Sequence, residues 1–346
     1  MSRNEIGIGL IGYSIGKVHT HSWLNLRQFY SLSPKLVAVC GEDSSVLSTF
    51  AKHYGYSKTY TDWKELIEDP EVTIIDNCAP PQLHREICIM AAEKEKAVIC
   101  ENPLARTALG AYNVHQAMKK SGQVNMTAFN KRFFPATQFA RELVKGGRLG
   151  KITHAVGTYY KMESPTGVPT DLRSHLIDLM RFVVGDISSV CGATQSEDSI
   201  TGCLRFESGA VGTMSVSRLA GAIPDYLVLE VYGTGGSFKY YSQRPTELDV
   251  YIHSSDFALN GFRTIICSSK AHPLMKYFWP DQGSSYGFEQ SFISEIAHFL
   301  SAVEKSQSVE PLGASFYDGY LAELIGSELA LSAADGNWHA VKPEPS

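Results

Sequence analysis

The chain has no long uninterrupted apolar run: its apolar stretches are strand-sized and broken by charge, and residues 1–5 pass directly into a strand without a cleavable apolar segment. The expectation is a protein that neither spans a membrane nor is exported, and so works in the cytoplasm. Seven cysteines are scattered with no Cys-x-x-Cys pair, mostly in apolar stretches, as reduced thiols would be; neither a disulfide nor a metal site is expected. The net charge of −5 comes without a basic stripe, which excludes nucleic acid as a partner. There is no internal repeat and no low-complexity linker. What is present is 346 residues, 44% of them hydrophobic, enough for two domains with ordinary cores.

The first third alternates short β-branched runs with helical patterns. Strands are expected at 6–11, 36–40, 73–78, 97–100 and 124–127, and helices at 44–54, 62–67, 83–93 and 108–121, each helix with apolar residues at three- and four-residue spacing. This is the layout of an α/β doubly wound parallel sheet, a Rossmann domain, placed at 1–128. Past Phe129 the rhythm changes. A helix at 135–145, a strand at 151–162 and a helix at 171–184 precede alternating segments at 199–207, 210–218, 226–232, 236–240 and 247–253, and helices at 288–305 and 314–334 close the chain. A second, α+β domain with a large, mostly antiparallel open-faced sheet is therefore expected over 129–346, with 256–285 as a long loop and a homo-oligomer formed through the sheet.

The first strand runs into Gly9-Leu10-Ile11-Gly12-Tyr13-Ser14-Ile15-Gly16, a glycine turn that opens a helix. Such a turn presents backbone N–H groups and a positive helix end to a dinucleotide pyrophosphate, although Ser14 stands where a full G-x-G-x-x-G has its second glycine. Gly12 to Gly16 also spell the G-x-S-x-G elbow of serine hydrolases, but too few residues precede the strand to supply an oxyanion loop. The second strand ends Gly41-Glu42-Asp43; Glu42 is placed to accept hydrogen bonds from the adenosine ribose, which favours NAD while leaving NADP open, and Asp43 equally suits a helix start.

Two further segments close central strands: Asn77-Cys78-Ala79-Pro80-Pro81-Gln82-Leu83-His84 and Val98-Ile99-Cys100-Glu101-Asn102-Pro103. Farther on, spacing of four and then three puts Asp171, His175 and Asp178 along one side of a helix, a polar stripe suited to a hydroxylated substrate. Together with Phe129-Asn130-Lys131-Arg132-Phe133-Phe134-Pro135 and Pro311-Leu312-Gly313, these segments in this order resemble the glucose-fructose oxidoreductase, inositol dehydrogenase and rhizopine-catabolism (Gfo/Idh/MocA) family. The segment at Glu101 is similar to that family's Glu-Lys-Pro signature, with Asn102 in place of the lysine. The helix is similar to its Asp-x-Gly-x-His-x-x-Asp pattern, with Arg173 in place of the small residue.

The resemblance implies an NAD(P)-dependent oxidoreductase that moves a hydride between a nicotinamide and a sugar, cyclitol or related polyhydroxylated compound. It implies that Gly9, Gly12, Tyr13, Ser14, Ile15, Gly16, Glu42, Pro80, His84 and Glu101 serve the cofactor, and that a cis peptide precedes Pro103. A histidine titrating near neutrality suits the proton transfer. His175 is accordingly the expected acid/base, oriented by Asp171, with Asn102, Arg132 and Arg173 toward the substrate and Lys161 or Arg173 supplying the missing positive charge. The alternative is a cofactor- or sugar-binding sensor that kept the fold and lost turnover.

Overall fold

The computed structural model describes residues 5–26, 33–162, 170–196, 198–220, 225–256, 258, 260–268 and 287–343. The chain divides into two compact units, Met1–Asn130 with Phe288–Glu323, and Lys131–Gly287 with Leu324–Ser346. Residues Phe288–Glu323, assigned from sequence to the second domain, thus pack with the first.

In the first unit the elements are β1 (Glu5–Ile11), α1 (Gly16–Leu26), β2 (Ser33–Cys40), α2 (Ser44–Tyr54), β3 (Lys58–Tyr60), α3 (Trp63–Glu68), β4 (Ile74–Asn77), α4 (Pro81–Glu93), β5 (Ala97–Glu101), α5 (Ala108–Ser121) and β6 (Asn125–Ala128). Among the described residues the strands form one six-stranded parallel sheet in the order β3-β2-β1-β4-β5-β6, with the crossover between β3 and β4 that makes a doubly wound sheet. The strands are apolar on both faces, as a sheet covered on both sides requires; Ile8 and Leu10 of β1 and Val98 and Ile99 of β5 are fully buried. Helix ends are set locally. Asp43 accepts from the Ser45 and Val46 amides to start α2, and Gly55, at φ 84°, ends it. Thr107 and Gly122 do the same for α5. Asp43 is thereby used as a helix cap.

The second unit opens with a 3-10 turn at Asn130–Phe133 and α6 (Pro135–Lys145), followed by β7 (Ile152–Tyr160), α7 (Thr170–Val184), β8 (Ile187–Ser196), β9 (Ser199–Phe206), β10 (Val211–Ser217), β11 (Tyr226–Gly233), β12 (Gly236–Tyr241), β13 (Glu247–Ile252) and β14 (Arg263–Ile266). Helices α8 (Phe288–Lys305) and α9 (Phe316–Asp335) and the short β15 (His339–Ala340) complete the chain. The sheet order is β14-β13-β12-β11-β7-β10-β9-β8-β15; its pairs are antiparallel except β7 with β10. Along β7 burial alternates, and α7 lies on the buried face. Gly157 makes that seat possible, since a Cβ there would stand 2.8 Å from Met180 Sδ and 2.9 Å from Leu176 Cδ1.

Four strands escape the periodicity argument for physical reasons. β3 and β15 have three and two residues. β8 is rich in serine, glycine and threonine, which mask its alternation. β14 falls inside the expected loop, of which residues 269–285 lie outside the described residues.

Candidate functional site

At the carboxyl end of the parallel sheet a cavity of about 650 Å³ is walled by Gly12, Tyr13, Ser14, Ile15 and the strand ends at Gly41-Glu42 and Cys78-Ala79-Pro80. Gly12 has φ 90°, and a Cβ there would come within 2.2 Å of the Cys78 carbonyl oxygen, so only glycine lets the turn lie this close to β4. Gly16 starts α1 against Leu10. Gly41 holds the usual acidic position because Tyr13 leans over it: a Cβ would meet the ring at 2.2 Å. Glu42 is exposed beside it on the cavity wall. The donor set fits a dinucleotide, with amides and a helix start for the phosphates and a carboxylate for a ribose. Gly9 sits inside β1, where its missing side chain makes room for Leu66 and Val72.

His84 takes a different part from the one expected. It is buried with both ring nitrogens on backbone carbonyls, Nδ1 at 2.7 Å from Pro103 and Nε2 at 2.7 Å from Ala79, and burial pushes its pKa down. It staples the Pro80 and Pro103 loops to each other. The Asn102–Pro103 peptide is cis. The Asn102 carboxamide donates to Glu101 Oε2 at 3.3 Å and to the Ala128 carbonyl at 3.4 Å, so its orientation is set by β5 and β6.

Behind this loop stands a group that the sequence reading left without a role. His19 of α1 is fully buried, with Nδ1 2.8 Å from Asp76 Oδ1 and Nε2 3.0 Å from Glu101 Oε1. Trp23 donates to the other Asp76 oxygen at 2.7 Å. Burial alone would lower the His19 pKa, but Asp76 and Cys78 outweigh it and hold the ring well above its ordinary value, as an imidazolium. His19, Asp76 and Cys78 lie close enough to share a metal ion, yet the 2.8 Å contact of His19 with Asp76 is a direct hydrogen bond. Because both ring nitrogens of His19 are engaged, it cannot serve Ser14 as a base.

In the second unit α7 carries Asp171, His175 and Asp178, each with different surroundings. Asp178 is buried and gripped by Arg132, Nε to Oδ2 at 2.8 Å and Nη2 to Oδ1 at 2.5 Å, with the guanidinium 4.9 Å from the centre of the Phe182 ring. Arg132, expected near a substrate, is instead an internal brace. Asp171 accepts from Arg218 at 2.7 Å. Arg173 is turned against α9, where a Cβ on Gly326 would lie 2.4 Å from its Nε.

His175 does not titrate near neutrality: burial first, then the charges of Lys131 and Lys161, push its pKa down to about 3. It is a neutral imidazole throughout the physiological range. Lys161, after β7, is one of the cations acting on it, and the other is Lys131 of the 3-10 turn. Lys131 is buried, its Nζ 5.7 Å from the centre of the Phe134 ring and 5.6 Å from that of Tyr159, whose centre is 6.4 Å from that of His175. The signal for it was a lysine embedded in the aromatic run Phe129-Asn130-Lys131-Arg132-Phe133-Phe134.

A family model described as an oxidoreductase family with an NAD-binding Rossmann fold matches residues 6–129, and the GFO/IDH/MocA C-terminal domain matches residues 137–239. The chain is 30% identical to levoglucosan dehydrogenase of Pseudarthrobacter phenanthrenivorans, over 96% of this chain and 97% of that protein. It is 27% identical to the myo-inositol 2-dehydrogenase of Thermotoga maritima, over 92% and 93%. A structure of levoglucosan dehydrogenase in complex with NADH and levoglucosan superposes with a TM-score of 0.93 at 30% identity, covering 98% of this chain and all of that one. Nucleotide-binding sheet, C-terminal sheet and both family models agree: the chain belongs to the Gfo/Idh/MocA family of oxidoreductases.

Proposed function

We propose that the protein is an NAD(H)-dependent dehydrogenase that interconverts a secondary alcohol and a ketone on a sugar, anhydrosugar or cyclitol. The observation that carries this reading is the joint occurrence, in one chain, of the Gly12–Glu42 cavity and a half-buried histidine held neutral on α7. The names of its relatives, levoglucosan and myo-inositol 2-dehydrogenases, support the substrate class. When bound, the nicotinamide supplies the hydride acceptor or donor. The Gly12–Gly16 turn would hold the pyrophosphate, Glu42 the adenosine ribose, and Pro80 with Glu101 the nicotinamide side. Asn102, fixed by Glu101 and the Ala128 carbonyl, positions a substrate oxygen; a carboxamide cannot exchange a proton at neutral pH. His175, a neutral imidazole with one N–H, donates a hydrogen bond to the reacting oxygen, and Asp171, paired with Arg218, addresses a neighbouring hydroxyl.

The proposal extends to a homo-oligomer closed over the solvent-facing side of the large sheet, where Val156 and Val211 are exposed, and to a cytoplasmic location in keeping with seven free cysteines. The test is NADH and NADPH fluorescence titration, followed by NAD reduction with a panel of levoglucosan, glucose, inositols and acyclic polyols. Binding of NADH with turnover of at least one polyol is expected. A protein that binds NADH and sugar without oxidising any of the panel is a sensor and sinks the reading.

A further inference from the structure

The neutral state of His175 leaves the proton of the reaction without a resting place. Oxidising an alcohol to a ketone releases one hydroxyl proton, and a group with a pKa of about 3 does not keep a proton at neutral pH. A basic group beside His175 can hold it.

Lys131 is built for that task. Its side chain is 5% exposed and its ammonium is walled by the Phe134 and Tyr159 rings. The Asp225 carboxylate, itself 43% exposed, pairs with it at 3.9 Å, beyond hydrogen-bond distance. A lysine buried only for packing would be costly in this setting, because an ammonium out of water needs full compensation. The groups around it are of mixed sign. Arg132 on its own turn is neutralised by Asp178, β7 brings Tyr159 and then Lys161, α7 brings His175, and Asp225 precedes β11. Tyr240 of β12, fully buried, also feels the Asp225 charge. Burial and the Lys161 charge lower the Lys131 pKa, and Asp225 works against them.

We propose that Lys131 is the catalytic acid/base of this enzyme, taking the hydroxyl proton of the substrate while His175 serves as a neutral hydrogen-bond partner of the same oxygen. This rests on the dehydrogenase reading above. In the oxidative direction the substrate O–H bond breaks, a new N–H bond forms on the free amine of Lys131, and the oxygen keeps the electron pair that becomes the second C–O bond as the carbon loses hydride to NAD. In the reductive direction the Lys131 ammonium returns the proton.

The experiment compares wild-type protein with Lys131→Met, Lys131→Arg, Lys161→Met and Asp225→Asn. Lys131→Met and Lys131→Arg should each lower kcat by about two to four orders of magnitude, the usual worth of a positioned acid/base, with NADH affinity unchanged. Arginine keeps the charge but does not release a proton, so full kcat in Lys131→Arg overturns the proposal. Oxidation needs the free amine, so its rate rises with pH through the Lys131 pKa. Lys161→Met removes a like charge and should move that limb to higher pH; Asp225→Asn removes an opposite charge and should move it to lower pH. Independently of activity, [ε-13C]lysine labelling of the unliganded protein gives a Lys131 resonance identified by its absence from Lys131→Arg. It should titrate below the exposed lysines, which lie near about 10.4, and titration together with them overturns the proposal. A wild-type protein that binds NADH but oxidises no polyol sinks the dehydrogenase reading instead, and is told apart by that result.

Discussion

Arg132 grips both carboxylate oxygens of Asp178 inside the second unit, where the two side chains are 4% and 1% exposed. The pair is bidentate, the arrangement in which a buried ion pair is best compensated. Removing one partner leaves the other charged and buried. Asp178→Asn and Arg132→Met should each lower unfolding stability by about 3–5 kcal/mol, read by urea or thermal unfolding. The double variant Arg132→Met/Asp178→Leu should recover much of that loss. Single variants within about 0.5 kcal/mol of wild type, the range of ordinary surface changes, would show that the pair braces nothing.

His19 ties α1, β4 and β5 to one another, and its charge has a pH signature. The folded-state pKa is raised above the value of about 6.5 for a free histidine, so the stability from its contact with Asp76 is complete below about pH 6.5 and is lost as pH rises through the raised folded value. His19→Gln should be less stable at pH 6, and the difference from wild type should shrink as pH increases. A difference that stays constant from pH 6 to 9 would mean that His19 is neutral in the folded protein.

The chemistry of the first unit was legible because it is written in contiguous strand-turn-helix segments. Helices α2, α5, α6 and α8 fall where apolar spacing and caps put them, and the Gly12 turn, Glu42 and Pro80 meet at one cavity. Side-chain pairing over long sequence separation was not legible. Nothing in the helix pattern tells that Asp178 is taken by Arg132, 46 residues earlier, or that Asp76 in an apolar strand meets His19 at a separation of 57. Lys131 draws no role from the sequence, since burial of a lysine is an exception that spacing does not signal. The low pKa of His175 comes first from burial and then from Lys131 and Lys161, none of which spacing shows.

The phosphate turn separates strain from charge. Gly12→Ala places a side chain at φ 90° and 2.2 Å from the Cys78 oxygen, so it should unfold more easily as well as lose NADH. Ser14 is exposed in the same turn. Ser14→Asp should therefore keep the wild-type melting temperature while weakening NADH binding about tenfold or more, one factor of ten for each ~1.4 kcal/mol of repulsion. Undiminished NADH affinity in Ser14→Asp would place the pyrophosphate elsewhere.

Glu42 decides between the two nicotinamide cofactors in this reading. It is exposed on the cavity wall next to Gly41, and Gly41 is kept small by the Tyr13 ring. A carboxylate there accepts from the ribose hydroxyls of NAD and repels a 2′-phosphate. Hydrogen bonds to a charged group contribute about 1.5–3 kcal/mol, so wild type should bind NADH about ten- to a hundredfold more tightly than NADPH, the fluorescence titration giving both constants. Glu42→Arg replaces the acceptor by a phosphate-binding fork. It should weaken NADH and strengthen NADPH, reversing the order without a change in melting temperature, because Glu42 takes no part in capping α2, which Asp43 does alone. Equal affinity of the wild type for both cofactors, or an unchanged ratio in Glu42→Arg, would move the adenosine ribose away from the β2 tip.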